Sequence, residues 1–181
     1  MYVYGVFEKL INIYQENITI MGVNMALKFA NAIYSFILVF ITSLISKYFT
    51  DKGLDSFYDT LITPDVTPDG KYFGMAWGII YFLLFLSFFL ILSSKKTDEQ
   101  SKDAHALFIS QLFLQILWCF SFFYMEQLWA SSIVIVVLDM VVALMLHTFF
   151  YINKWAFILL LPYLAWILFA TYLNIFIIFL N

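Results

Sequence analysis

Tyr163, Trp166, Ala170 and Asn174 recur at steps of three, four and four. That spacing puts side chains on one face of a helix. The face combines ring surface, a small residue and an amide inside a run of Leu, Ile and Phe. A segment that only had to dissolve in lipid would need none of these. Such a face can stack on a flat apolar body and hydrogen-bond its polar edge. Two more polar-aromatic faces accompany it. Gly74, Trp77 and Tyr81 align on one segment; Gln111, Gln115, Trp118 and Phe122 align on another. Amides in hydrocarbon are costly unless partnered, so the amide faces should turn inward and toward one another. A cavity lined in this way suits a flat, largely apolar ligand with polar edges: a tetrapyrrole, a sterol or a flat drug. The same residues also serve as packing contacts between membrane helices, and spacing alone leaves both readings open.

Asp139 is the one acidic residue well inside an apolar run. Intramembrane acids are functional candidates by default, so a proton-linked role stands beside a purely structural hydrogen bond. His105 and His147 are expected near opposite edges of the membrane-spanning region, where interfacial solvation competes with ligation of haem iron. Cys119 is the single cysteine. It has apolar neighbours, reads as a buried thiol, and excludes an intramolecular disulfide or a Cys-based metal cluster. No hydrolytic triad, phosphate loop or metal motif is present. Gly74-x-x-x-Gly78 permits close helix approach, either inside the bundle or in a dimer. Pro162 inside a span removes one backbone donor and would kink the helix that carries Tyr163 to Asn174.

These residues need a scaffold, and composition names its solvent. The chain has 181 residues, 64% hydrophobic and 12% charged, about half the charge of a soluble domain. That much apolar surface does not fit in a water-soluble core. A crossing helix needs about 20 apolar residues, and five segments qualify: 24–47, 73–93, 105–125, 129–150 and 155–180. The fold class is therefore all-α integral membrane, a bundle of five transmembrane helices. An Asp- and Pro-bearing stretch at 48–72 separates the first two, and a Lys-rich loop at 93–103 the next two. The last two connections are short, so helices three, four and five should pack as neighbours, up and down. Residues 1–22 form a separate N-terminal amphipathic segment, with 23–181 as the membrane domain. Val3, Phe7, Leu10 and Tyr14 share one side and Glu8, Asn12, Gln15 and Glu16 the other. That pattern fits a helix lying on the membrane surface or one that binds a partner.

The N-terminus lacks a basic region and a cleavage site, and reads as retained. All nine basic residues are Lys and the net charge is -3, which gives no electrostatic case for nucleic acid. Lys9, Lys28, Lys95, Lys96, Lys102 and Lys154 fall on one side of a five-span topology, and Lys47, Lys52 and Lys71 on the other. The excess predicts a cytoplasmic N-terminus in a bacterial inner membrane.

Pro162-Tyr163-Leu164-Ala165-Trp166, followed by Phe169-Ala170-Thr171-Tyr172-Leu173-Asn174, closely resembles the fifth helix of the TspO/MBR family. This family contains the translocator proteins, or peripheral benzodiazepine receptors, and the bacterial tryptophan-rich sensory proteins. Phe57-Tyr58-Asp59-Thr60-Leu61-Ile62-Thr63-Pro64 resembles the entry to the family's first loop. Pro68-Asp69-Gly70-Lys71-Tyr72-Phe73-Gly74-Met75-Ala76-Trp77 resembles the opening of its second helix. Gln111 to Phe123 resembles the Gln, Trp and Phe-Phe pattern of its third. Asp69 and Lys71 replace a Pro and a Trp of the family pattern, and Gln115 replaces an Asn. The family's Pro residues after the helix-three Trp are missing, and Ile175 to Asn181 lack the animal sterol motif.

The resemblance implies a membrane receptor or sensor for porphyrin-like ligands. Trp77, Tyr81, Gln111, Gln115, Trp118, Phe122, Tyr163, Trp166, Ala170 and Asn174 would line its pocket. It implies porphyrin or haem as ligand rather than required cofactor, and a tetrapyrrole or sterol-like molecule as partner beside the lipid bilayer that composition demands; the Gly74–Gly78 spacing would also serve a homodimer. Alternatives are transport of tetrapyrroles or small lipids, porphyrin breakdown with Trp166 and then Trp77 as catalytic candidates, and a scaffold acting through its N-terminus.

Overall fold

The computed structural model describes residues 2–181, with side chains described from Met21 onward. Five long helices account for nearly all of it: α1 Tyr2–Gly53, α2 Gly70–Ser93, α3 Asp98–Cys119, α4 Leu128–Ile152 and α5 Lys154–Leu180. All five contain a stretch long and apolar enough to cross a membrane, beginning at Met21 in α1. The chain is an integral, multi-pass membrane protein with the expected five-helix architecture. The side chains of the first twenty residues lie outside the described ones, and with them the amphipathic pattern expected there.

The helices form a ring in the order α1, α2, α5, α4, α3, closing back on α1. As expected, α3, α4 and α5 are consecutive neighbours. α2 and α3 face each other across the middle with little direct contact, so what fills the centre is side chains. Toward the α4–α5 turn the core is stacked rings and aliphatics. Phe88 of α2 lies parallel to Phe108 of α3 at 3.8 Å, and Ser87 donates to the Ala156 carbonyl at 2.9 Å. Toward the other end the core is Trp118, Phe122, Phe123, Ala170 and Ile177.

Local signals set the boundaries. α3 starts at Asp98, earlier than the expected 105, because Thr97 and Gln100 form a reciprocal capping box, which satisfies two of the helix's free N–H groups. Asn153 ends α4 and caps α5. Its side-chain oxygen accepts from the N–H of Trp155 and of Ala156 at 2.9 and 3.2 Å. Its amide donates to Ser94 Oγ at 2.8 Å, tying this turn to the end of α2. α5 runs unbroken through Pro162.

α1 also outlasts its expected end at 47. Lys47 pairs with Asp51 one turn on, and Phe49 packs on Phe120 at 5.1 Å. The connection to α2 therefore narrows from the expected 48–72 to 54–69, with a 3₁₀ turn at Tyr58–Thr60. The end of α1 meets a feature that the sequence does not announce. α3 continues as a π-helical turn, Phe120–Tyr124, and Glu126 then reverses the chain at a φ of 57°. The turn pushes the Phe123 backbone against Gly53, so closely that a methyl group on Gly53 would collide with the Phe123 carbonyl.

Two expectations are corrected. Gly74 and Gly78 do not close a contact inside this bundle: both are exposed, and a Cβ on either meets nothing within 4 Å. His105 and His147 are not at opposite edges. α3 and α4 are antiparallel, so the start of one lies beside the end of the other, and Asp103 of α3 and His147 of α4 line the same shallow groove.

Candidate functional site

α3 supplies a polar wall. Gln111, Gln115 and Trp118 face the interior and are buried, and each is tied to another helix. Tyr163 Oη of α5 donates to Gln111 Oε1 at 2.9 Å. Gln115 Nε2 donates to Tyr81 Oη of α2 at 2.9 Å. Trp118 Nε1 donates to Asn174 Oδ1 of α5 at 2.9 Å. Asn174 then reaches α4, where its Nδ2 donates to Ser132 Oγ at 2.8 Å. The amides predicted to turn inward do so, because in hydrocarbon their partners can come only from other helices.

Rings fill the space between these ties. Trp77 stands at the centre. Its ring lies 6.2 Å from Trp118 and 5.9 Å from Tyr81, and is perpendicular to Trp166 at 6.5 Å. Phe73 tilts against Trp166 at 5.2 Å, and Phe122 lies 6.0 Å from Trp118. Three enclosed polar atoms of this cluster have no hydrogen-bond partner among the described residues: Gln111 Nε2, Gln115 Oε1 and Trp166 Nε1. They present two donors and one acceptor amid aromatic surface.

The 54–69 connection covers one end of the cluster. Phe57 and Tyr58 each lie 6.1 Å from Phe122. At the far side, Asn181 and Ile62 exchange two hydrogen bonds of 2.9 Å, amide to carbonyl and N–H to amide oxygen. Burial, and then the adjacent Asp59 carboxylate, push the Tyr58 phenol above its ordinary 10.0. A group held protonated more firmly in the docked state favours docking below its free value and opposes it as pH rises beyond. Amide exchange in 54–69 should therefore speed up above about pH 10 by more than the intrinsic exchange rate does. Tyr58→Phe should remove that excess; an unchanged pH profile in the variant would disprove the link.

Of the ten residues expected to line the pocket, Gln111, Gln115, Trp118, Phe122, Tyr163, Ala170 and Asn174 are buried, and Trp77, Tyr81 and Trp166 half-buried. All converge on the interior. Asp139 stands apart on the α4–α5 seam, where Thr171 Oγ1 donates to its Oδ2 at 2.8 Å. His105 is occupied by the Ser101 carbonyl at 2.7 Å and by the Phe88 ring; His147 is exposed beside Tyr151. Cys119 is a buried free thiol, as expected. No group of three potential metal ligands occurs among the described residues. Sequence reasoning did not pick out Ser132, Thr171, Phe73 or the Phe57–Tyr58 pair as site residues. Thr171 and Ser132 were detectable as hydroxyls inside apolar runs, yet such hydroxyls more often bond their own helix.

Known proteins share this chain's features. A stretch of 75 residues is 43% identical to the tryptophan-rich protein TspO of Chlorobaculum tepidum, covering 41% of this chain and 48% of that one. A stretch of 76 residues is 43% identical to the tryptophan-rich protein TspO of Archaeoglobus fulgidus, covering 42% and 49%. Another of 76 residues is 37% identical to a tryptophan-rich sensory protein of Cereibacter sphaeroides, covering 42% and 48%. The chain thus matches about half the length of each of these relatives. The model of the TspO/MBR family covers more, residues 35–180, which takes in the later part of α1, all of α2 to α5 and every residue of the aromatic cluster. By fold, by the order of its motifs and by that match, the chain belongs to the TspO/MBR family.

Proposed function

We propose that this protein is a membrane receptor or sensor that binds porphyrin-like, or other flat hydrophobic, ligands between α2, α3 and α5. The observation that carries this reading is the gathering of Trp77, Trp118 and Trp166 around three enclosed, unpartnered polar atoms. Buried polar atoms without partners are rare in stable folds, and a ligand with polar edges would satisfy them. The indole faces would stack on its ring, and the 54–69 connection would cover it. The Cereibacter sphaeroides relative bears the name of a tryptophan-rich sensory protein, which supports a sensing role. The Lys distribution supports a cytoplasmic N-terminus, which would place the covering connection on the outer side. The exposed Gly74–Gly78 face of α2 supports a contact between two copies.

Fluorescence quenching of the full chain in nanodiscs by protoporphyrin IX tests the reading. Saturable quenching is expected. Trp166→Phe combined with Trp118→Phe should weaken the affinity roughly tenfold, since each well-placed aromatic contact is worth about 0.5–1.5 kcal/mol. Absence of saturation, or an affinity unchanged in the double variant, would sink it.

A further inference from the structure

We propose that Asp139 is a proton-exchanging group whose charge state sets the closure of the α4–α5 seam and, through Asn174, the position of the Trp118 wall. Asp139 lies midway along α4, far from either helix end. Thr171 of α5 donates to one of its oxygens at 2.8 Å. The other oxygen, Oδ1, is enclosed and has no partner among the described residues.

The surroundings hold no counter-charge. The one ion pair among the described residues is Lys47 with Asp51, at the end of α1. From α5, Asp139 is faced by Thr171 and, farther off, by Tyr163, whose phenol is engaged with Gln111. α3 turns the uncharged Gln111 and Gln115 inward, and its own charges cluster between Asp98 and Asp103 at its start. On α4 itself the nearest titratable group is His147, two turns along and exposed. A carboxylate with one hydrogen bond and no cation is poorly tolerated away from water. The closed seam as it stands accommodates the neutral acid. On losing its proton, Asp139 must recruit water to Oδ1, and that requires α4 and α5 to part locally.

Such a movement has a route to the aromatic cluster. Thr171 precedes Asn174 by one helical turn, and Asn174 joins α5 to Ser132 of α4 and to Trp118 of α3. The Asp139–Thr171 and Ser132–Asn174 bonds are two ties of one seam, so loosening the first strains the second. The water that enters the parted seam to reach Oδ1 is the group that takes the proton. The step is a simple ionisation: the carboxyl O–H bond breaks, the electron pair stays on Asp139, and the proton goes to water.

The test uses the full chain in nanodiscs without ligand, so its outcome is independent of the porphyrin reading. Infrared difference spectra over a pH titration should show a protonated-carboxyl C=O band that disappears as pH rises and is missing from Asp139→Asn. Tryptophan emission should change with the same midpoint, and that change should vanish in Asp139→Asn and in Trp118→Phe. Thr171→Val, which keeps the acid and removes its donor, should move both band and midpoint. A band that does not titrate while the bundle stays folded would overturn the proposal, as would its survival in Asp139→Asn. A titrating band with no accompanying Trp118 signal would overturn the coupling. If Asp139→Asn does not fold, the wild-type titration and Thr171→Val decide the matter.

Discussion

Replacing Gly53 by Ala should destabilise the bundle by about 1–3 kcal/mol, the range for forcing extra atoms into a packed site. The sign is the informative part. At an ordinary helix position the same change stabilises, by roughly 0.5–1 kcal/mol, because Ala loses less backbone freedom on folding. At Gly53 the added methyl meets the Phe123 carbonyl, its carbon and its Cα. These are backbone atoms, held in the π-helical turn by the bond from the Met125 N–H to the Phe120 carbonyl at 2.9 Å, and they cannot swing aside. The end of α1 must retreat instead, loosening Phe49 from Phe120 and Tyr124. Gly78→Ala is the matched control: it lies mid-helix with open space around its Cα and should stabilise the isolated chain. Denaturant midpoints in one detergent compare the two. Gly53→Ala unfolding at or above the wild-type midpoint would refute the close approach.

That contact also marks where sequence reasoning stops. The five helices were legible because a bilayer demands long apolar runs, and few other arrangements of such runs exist. The inward faces of α3 and α5 were legible for a related reason: Gln111, Gln115 and Asn174 have no way to be satisfied except by one another's helices. Their partners were not legible. Whether Gln115 meets Tyr81 and Asn174 meets Trp118 depends on the ring order of the helices, and no local pattern encodes that order. The π-helical turn at Phe120–Tyr124 was invisible because a run of Phe, Ser and Tyr carries neither Pro nor Gly. Its contact is tertiary, the Phe123 backbone against Gly53 of α1. The Thr97–Gln100 capping box, by contrast, stands in the sequence as a recognisable start signal, opening eight residues before the expected boundary at 105. The error over His105 and His147 has a different origin. Their positions along the chain do not reveal that antiparallel neighbours bring a helix start and a helix end to the same face of the membrane.

Asn174 is where the polar ties meet, and Asn174→Leu should show it. Every polar atom of this side chain is used: Oδ1 accepts from Trp118, and Nδ2 donates to Ser132 and lies 3.4 Å from the Leu128 carbonyl. Leu keeps the branching and the number of side-chain heavy atoms of Asn, so the change removes the hydrogen bonds, at the cost of fitting two larger methyl groups into a buried site. Ser132 is spared, since its hydroxyl also donates to the Leu128 carbonyl at 3.0 Å. Trp118 is not spared: its indole N–H is left buried without an acceptor, a loss of about 1–3 kcal/mol. Interhelical hydrogen bonds in membranes are often worth less, about 0.6 kcal/mol on average, because the separated helices find other partners. A double-mutant cycle with Trp118→Phe separates the two cases. If the bond holds α3 to α5, the cycle should give a coupling energy near 1 kcal/mol, and the indole emission of Trp118 should shift toward that of a freer ring. Zero coupling would mean that the two side chains merely lie side by side. The choice bears on function, because Trp118 is the ring against which Trp77 is set. With Asn174 removed, the spacing between those two indoles is no longer fixed from the α5 side. Affinity for a flat ligand should then fall even though none of the rings that would stack on it has changed.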